Sequence, residues 1–316
     1  MTLTKLEKAI VRTIAYFDIL EYPLTQTEVW KWLHRPELTE NERSLSKVRE
    51  ALEQSRALAE VLSLTEAFYT LRGREHLVPV RKMRNLNVDR QIQKVVRMTK
   101  LMRLIPSVKM IAIYSSLAIG NVKEQSDIDL FIVAKKNQIW WTRFLIVGLL
   151  KLLRQRPTAQ VTRDKLCLSF YVTEDNLDIS AASFGHDDIA YRYYVANFIP
   201  VYDPDHIYET FLRKNAWWER DLPNAYFPQQ LLQEVARPAW LVLWHRLFEW
   251  VSWPLAEGPL SDWCCNLQLR IMPSHLKALA NIDVRVIISD RMLKFHNKDT
   301  RVQQRKAWLD RIAAYE

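Results

Sequence analysis

Only five of the 316 residues are glycine, and only three are cysteine. So little glycine excludes collagen-like and glycine-rich low-complexity chains and argues for a compact, helix-rich globular protein. Cys167 and the adjacent pair Cys264 and Cys265 offer neither a disulfide framework nor the spaced quartet of a zinc site. A reducing cytoplasm is therefore the expected compartment. No apolar run is long and clean enough for a bilayer, because Arg143 and Lys151 interrupt residues 140–153, and His245, Arg246 and Glu249 interrupt residues 240–255. No membrane partner is expected. A leader pattern is missing as well, since residues 2–7 open directly into a charged amphipathic segment.

What is present is apolar bulk and positive charge. An apolar fraction of 49% at this length fits two or three compact, helix-rich domains. The formal net charge is +9, and residues 72–109 hold eleven basic residues against Glu75 and Asp89, an excess equal to that of the whole chain. On a helix, Arg90, Lys94 and Arg97 share one face while Ile92, Val95 and Val96 turn largely to the other. Such a face attracts phosphate polymers through its field or serves as the solvated side of an amphipathic helix, and the second is the expectation.

The densest chemistry lies at Ser115-Ser116-Leu117-Ala118-Ile119-Gly120, followed after five residues by Ser126-Asp127-Ile128-Asp129-Leu130. Short β-branched or aromatic runs flank it, at residues 110–114 and 130–133, which predicts two buried strands. Alternation along a strand puts Asp127 and Asp129 on one face and Ile128 and Leu130 on the other. Two carboxylates on one rigid face make a hard oxygen site for Mg²⁺.

At these residues the chain resembles the DNA polymerase β-like nucleotidyltransferase superfamily, specifically its minimal members. Their pattern is Gly-Ser-x-Ala-x-Gly-x5-Ser-Asp-x-Asp, matched here at every element except the first glycine, which is Ser115. The resemblance implies that Ser115, Ser116, Gly120 and Ser126 shape a turn around the terminal phosphates of a nucleoside triphosphate, with ATP the expected nucleotide. It further implies that Asp127 and Asp129 hold Mg²⁺ or Mn²⁺. Arg143, in an early turn of a helix expected over residues 138–153, is a candidate phosphate contact. Active members of that superfamily add a third carboxylate on a neighbouring strand. The expected neighbour is residues 166–170, where Cys167 takes the acid's position and Asp164, just before the strand, is the nearby substitute. The candidate catalytic residues are thus Asp127, Asp129 and Asp164.

The expected fold class is α+β: a nucleotidyltransferase-like mixed sheet flanked by helices, an N-terminal winged helix-turn-helix and a C-terminal helical domain. Residues 1–76 carry the first module, with Leu6, Ile10, Ile14 and Phe17 at helical spacing and a break at Tyr22-Pro23-Leu24. A capping box of Thr25 and Glu28 follows, then a third helix marked by Leu45, Val48 and Leu52. Residues 58–62 and 68–71 are expected to pair as a wing. The phrases Tyr16-Phe17-Asp18-Ile19 and Tyr22-Pro23-Leu24-Thr25 also resemble the front end of an uncharacterised group of prokaryotic nucleotidyltransferase-domain proteins. In the third helix Glu40, Glu42, Glu50 and Glu53 outnumber Arg43, Lys47 and Arg49, so DNA reading is not the favoured role.

Residues 77–226 are expected to form the nucleotidyltransferase-like domain and residues 227–316 the tryptophan-rich helical one. Trp240, Trp244 and Val251 are expected to form a core or an interdomain seam, and Pro238, Pro254, Pro259 and Pro273 to mark boundaries. Ser289 reads as a helix N-cap, with Lys294, His296 and Arg301 in a polar cluster beyond it; capping and local ion pairing are the expected role of that cluster, and facing a nucleotide is the alternative. The functional expectation is Mg²⁺-dependent transfer of a nucleoside monophosphate from a triphosphate to an acceptor of unspecified class, whether small molecule, protein or nucleic acid. The alternative is a catalytically weak or inactive nucleotide-binding regulator associated with DNA.

Overall fold

The computed structural model describes residues 3–34, 37–158, 160–185, 188–225, 235–256, 258–297 and 299–315, with only the backbone at 249 and 251–256. The boundary expected at 226–227 and the Val251 side chain lie outside the described residues.

Thr4 and Glu7 form a reciprocal capping box that opens α1 (Lys5–Ile19). After β1 (Leu24–Thr25), a second box of Thr25 and Glu28 opens α2 (Gln26–Lys31), as the spacing predicts. Next come α3 (Leu45–Gln54), α4 (Arg56–Val61) and the strands β2 (Leu62–Thr65) and β3 (Phe68–Leu71). β3 lies between β1 and β2, antiparallel to both. The hairpin's first strand, expected at 58–62, is shifted to 62–65. The cause is local: the Ser55 hydroxyl accepts a bond from the Leu58 amide and so starts α4 where strand was expected.

The basic segment forms α5 (Leu77–Met102), and its cations are largely committed to the fold. Arg81 makes a two-pronged pair with Glu28, Arg84 binds Glu21 and the Asn121 side chain, and Arg90 binds Asp164. The chain then runs through β4 (Val108–Ile113), α6 (Ser115–Ile119), β5 (Ile128–Ala134), α7 (Ile139–Leu152), β6 (Leu166–Thr173), α8 (Ile189–Ala196), β7 (Ile199–Tyr202) and α9 (Ile207–Lys214). Residues 199–202 are the edge strand β7, antiparallel to β4.

The C-terminal part corrects the expectation of an all-helical domain. After α10 (Ala239–Ala256), α11 (Pro259–Ile271) and α12 (Ser274–Leu279), the chain forms β8 (Val286–Ile288) and β9 (Met292–Phe295), then α13 (Arg301–Ile312). Ser289 caps no helix. Its hydroxyl accepts from the amides of Arg291 and Met292 and so tightens the β8–β9 turn. The short apolar runs on either side of Ser289-Asp290-Arg291 make a hairpin pattern, and it overrides the capping signal. Trp240 and Trp244, expected in a core or seam, are 55% and 43% exposed. Pro254 lies within α10 rather than at a boundary. Among the described residues no helix is long and apolar enough to cross a membrane.

The hairpin extends the central sheet, whose strand order is β7-β4-β5-β6-β9-β8, with β5 and β6 parallel and the other pairs antiparallel. Strand alternation sorts its side chains into two cores. Ile128, Leu130 and Ile132 pack with Val95 of α5 and with Ile146 and Leu150 of α7. Phe131, Val133, Phe170 and Val172 on the opposite face share one continuous cluster with Ile10, Ile14, Phe17 and Leu33 of the N-terminal segment. Tyr16 of α1 stacks on Tyr193 of α8 at 4.4 Å, and the Trp308 indole of α13 donates to the Arg12 carbonyl of α1. The N-terminal segment therefore lies over the sheet face that carries the aspartates.

Candidate functional site

β4 delivers the chain to a turn. Tyr114 is extended, Ser115 takes φ +63°, and α6 ends at Gly120 with φ +82°. Ser115 stands at the one position where the resembling pattern has glycine, and it adopts the left-handed backbone that glycine adopts freely, at a cost of about 1–2 kcal/mol. Its hydroxyl donates to Asp129, so the strained residue is tied to the carboxylate it faces. Gly120 is needed for its conformation and because a Cβ there would approach the Tyr22 hydroxyl to 3.2 Å. Ser126 acts through its backbone: its carbonyl accepts from Gln91 Nε2 at 3.1 Å and from the Asp164 amide at 3.0 Å, which fixes the loop immediately before Asp127.

Asp127 and Asp129 converge with Cys167, their candidate ligand atoms all within 4.8 Å of one another. Asp129 on β5 pairs directly with Cys167 on β6, which places the thiol on the strand position where a third acid is expected. Burial, and then the charge of Asp127, raise the Asp129 pKa to about 7, against hydrogen bonds from Ser115, Cys167 and Ser169. Burial and the two neighbouring carboxylates push the Cys167 thiol well up, so it is protonated at neutral pH. The two carboxylates suit a hard divalent cation, whose charge would relieve their repulsion; a protonated thiol adds no oxygen to that set.

Asp164 is not brought to this group. It accepts from Arg90 Nε at 3.0 Å, Arg90 Nη2 at 3.2 Å and Gln91 Nε2 at 3.0 Å. Burial raises its pKa, yet the bonds from Gln91 and Arg90 hold it below the ordinary carboxylate value. Arg143 is also elsewhere: its guanidinium lies 4.7 Å over the Phe295 ring and bonds to Gln268 of α11. Phe295 packs into the core of α5 and α7, whereas its neighbour Lys294 lines the aspartate face, so Arg143 belongs to the other side of the sheet.

The aspartate face holds a cavity of about 190 Å³ lined by Ser115, Asp129, Lys294, His296, Asp299 and Arg301, with Tyr114, Phe170, Tyr191, Tyr194, Phe198 and Thr300 completing it. The polar cluster Lys294, His296 and Arg301 thus reaches the candidate site, through sheet pairing of Lys294 with Phe170 rather than along a helix. Arg301 gives its guanidinium to Asp299, Asp188 and the Ala182 carbonyl. Lys294 donates to the Val284 carbonyl and lies 3.6 Å from Asp299, and burial with the Arg301 charge lowers its pKa to about 8. Burial, then Lys294, lowers His296 to about 3, so the imidazole is neutral. Its Nε2 is 3.0 Å from the Tyr114 hydroxyl, which is 2.8 Å from Ser169 Oγ. The aromatic lining escaped sequence reasoning, because Tyr191, Tyr194 and Phe198 reach the site only through the packing of α8 over the sheet. The available signals for Lys294 and His296 were their polar cluster with Arg301 and the two short apolar runs, 286–288 and 292–293, around a turn.

Residues 94–179 match the family model of the nucleotidyltransferase domain, consistent with the DNA polymerase β-like superfamily. That stretch runs from within α5 past β6 and includes Ser115, Asp127, Asp129 and Cys167, but none of the C-terminal hairpin. No curated protein and no solved structure matches the chain.

Proposed function

We propose that the protein is a metal-dependent nucleotidyltransferase that moves a nucleoside monophosphate from a triphosphate, with ATP the first to test, to an acceptor group. The observation that carries this reading is the convergence of Asp127 and Asp129 beside the left-handed turn at Ser115, inside the stretch that matches the nucleotidyltransferase domain. In such a transfer an acceptor oxygen or nitrogen bonds to the α-phosphorus while the bond to the bridging oxygen of pyrophosphate breaks, and the acceptor's proton leaves to base or water. Mg²⁺ or Mn²⁺, held by Asp127 and Asp129, would supply charge neutralisation on the phosphate oxygens. Ser116 and the Ser115–Gly120 turn present hydroxyl and amide donors to the terminal phosphates. Gly120 and Ser126 set the turn and the loop into β5. We assign Asp164 and Arg143 to holding the scaffold, the first by anchoring Arg90 and Gln91, the second by packing α7 on α11.

We further read residues 1–76 as a winged helix-turn-helix, on the order of α1–α4 and the β1-β3-β2 sheet, and place the protein in the cytoplasm, with its three cysteines free. One observation favours the second reading, a nucleotide-binding regulator with weak or no turnover: Cys167 occupies the position of the third acid. The decisive experiment incubates the full chain with each α-labelled nucleoside triphosphate, Mg²⁺ and fractionated acceptors, reading pyrophosphate release and label transfer together. Transfer that is lost in Asp127→Asn/Asp129→Asn supports the enzyme. Metal-assisted nucleotide binding with neither release nor transfer supports the regulator, and binding unaffected by the double substitution refutes both.

A further inference from the structure

We infer that the cavity beside Asp129 receives the nucleobase of the bound triphosphate, with His296 Nδ1 as its polar contact. The inference rests on the nucleotidyltransferase reading and extends it to a part of the chain outside the matched domain.

The cavity is unsuited to phosphate. Arg301 has its donors engaged by Asp299, Asp188 and the Ala182 carbonyl, and Lys294 is held between Asp299 and the Val284 carbonyl. Its positive charge is therefore spent on internal carboxylates, and Asp129 adds negative charge at one end. Among the described residues that line it, an oxyanion would meet no free cation. A neutral planar ring meets the opposite conditions, because Tyr114, Phe170, Tyr191, Tyr194 and Phe198 line the space. Bases stack favourably on aromatic side chains, since every base presents a π-face.

Size and position agree. At about 190 Å³ the space lies below the roughly 300–1,000 Å³ of sites for drug-sized ligands, and so fits one ring system rather than a whole nucleotide. Ser115 belongs both to the turn and to the cavity wall, so a single molecule spans the two, phosphates at the turn and ring inside.

His296 gives the polar contact. Its Nε2 is occupied by the Tyr114 hydroxyl, while Nδ1 is buried with no hydrogen-bond partner among the described residues. A buried ring nitrogen left unpaired carries a desolvation cost, which a ligand's hydrogen bond would recover. A nucleobase edge offers both donors and acceptors, so it satisfies either tautomer of the imidazole.

The test is calorimetric titration of the full chain, in Mg²⁺, with tripolyphosphate and with each of the four common ribonucleoside triphosphates. Tripolyphosphate probes the turn and the carboxylates alone. The expected result is that at least one triphosphate binds at least about tenfold tighter than tripolyphosphate. His296→Phe, which keeps a ring and removes both nitrogens, should weaken that nucleotide about three- to tenfold and leave tripolyphosphate unchanged. Tyr194→Leu, a second variant that removes one wall, should act in the same sense, with circular dichroism confirming the fold of each. Equal affinity for tripolyphosphate and all four nucleotides would overturn the assignment, as would a His296→Phe effect of the same size on both ligands. If neither ligand class binds, or if Asp127→Asn/Asp129→Asn leaves tripolyphosphate binding intact, the nucleotide site itself falls, an outcome separate from failure of the cavity.

Discussion

Without metal, the carboxylate pair should make the protein less stable as pH rises through the acidic range, the reverse of an ordinary ion-paired aspartate. Asp129 has a folded pKa of about 7 against an unbound value of 3.8, so between those limits the folded state holds a proton that the unfolded chain has released. Stability then falls with rising pH, with no contribution below about pH 4 and the full penalty above about pH 7. A gap of roughly three pKa steps at 1.36 kcal/mol each sets an upper limit of about 4 kcal/mol, reduced because Asp129 is partly exposed and shares its field with Asp127. The neutral, buried His296 works in the opposite direction: its lowered pKa makes folding more favourable as pH rises from about 3 to 6.5. The two contributions separate by difference, so urea unfolding from pH 4.5 to 8 in chelator should be run on the parent and on Asp129→Asn. The stability of the variant relative to the parent should grow with pH by about 2–4 kcal/mol and level off near pH 7.5. Saturating Mg²⁺ should cancel that difference or reverse it, because the cation binds the carboxylate form that the parent alone offers. A parent and variant whose stabilities run parallel across the range, with or without Mg²⁺, would refute the carboxylate site.

Cys167→Asp should raise label transfer at least about tenfold, since it supplies the missing oxygen ligand opposite Asp129. Asp164→Asn should leave turnover within about twofold while lowering stability by about 1–2 kcal/mol through loss of the partly exposed Arg90 pair, read by urea titration. Tyr193→Ala removes both the stack on Tyr16 and the bond to the Trp32 carbonyl, and should cost about 3–5 kcal/mol in a single transition seen alike by circular dichroism and tryptophan fluorescence. Two separate transitions would show that the N-terminal segment folds on its own. Replacing Arg90, Lys94 and Arg97 together by Gln should not change nucleic-acid binding near physiological salt, because the parent should already bind negligibly there; fluorescence anisotropy against salt checks it.

The parts of the site that were legible in the sequence are those built from consecutive residues. Ser115 to Asp129 lie on one strand–turn–strand path, so periodicity alone places both carboxylates on one face. The Asp129–Cys167 pairing was readable too, because β5 and β6 are successive strands. What could not be read is contact between segments far apart in the chain. Arg143 looked available for phosphate from its place in a helix, but the helix packs on the opposite face of the sheet, against α11. Ser289 has the chemistry of an N-cap and is used to hold a β-turn, since the same hydroxyl suits either task and only the pairing of β9 with β6 decides between them. That pairing brings His296 to Tyr114 across 182 residues of sequence, beyond the reach of any local pattern.

The two departures from the resembling motif differ in physical character. At Ser115 the backbone keeps the left-handed conformation and a hydroxyl bond to Asp129 is added, so a hydrogen bond to a carboxylate, about 1.5–3 kcal/mol, offsets the steric cost of about 1–2 kcal/mol. The turn geometry survives the loss of glycine. At Cys167 the thiol also bonds to Asp129, but when protonated it neither neutralises the neighbouring carboxylates nor offers oxygen to a hard cation. On the proposed reading the first change keeps a turn that suits phosphate while the second weakens the side of the metal site nearest β6, and β6 is the strand that carries β9, with Lys294 and His296, beside it. A thiol in place of an oxygen ligand, beside a hairpin that lines the cavity, makes nucleotide discrimination rather than turnover the sharper measurement of the proposed site.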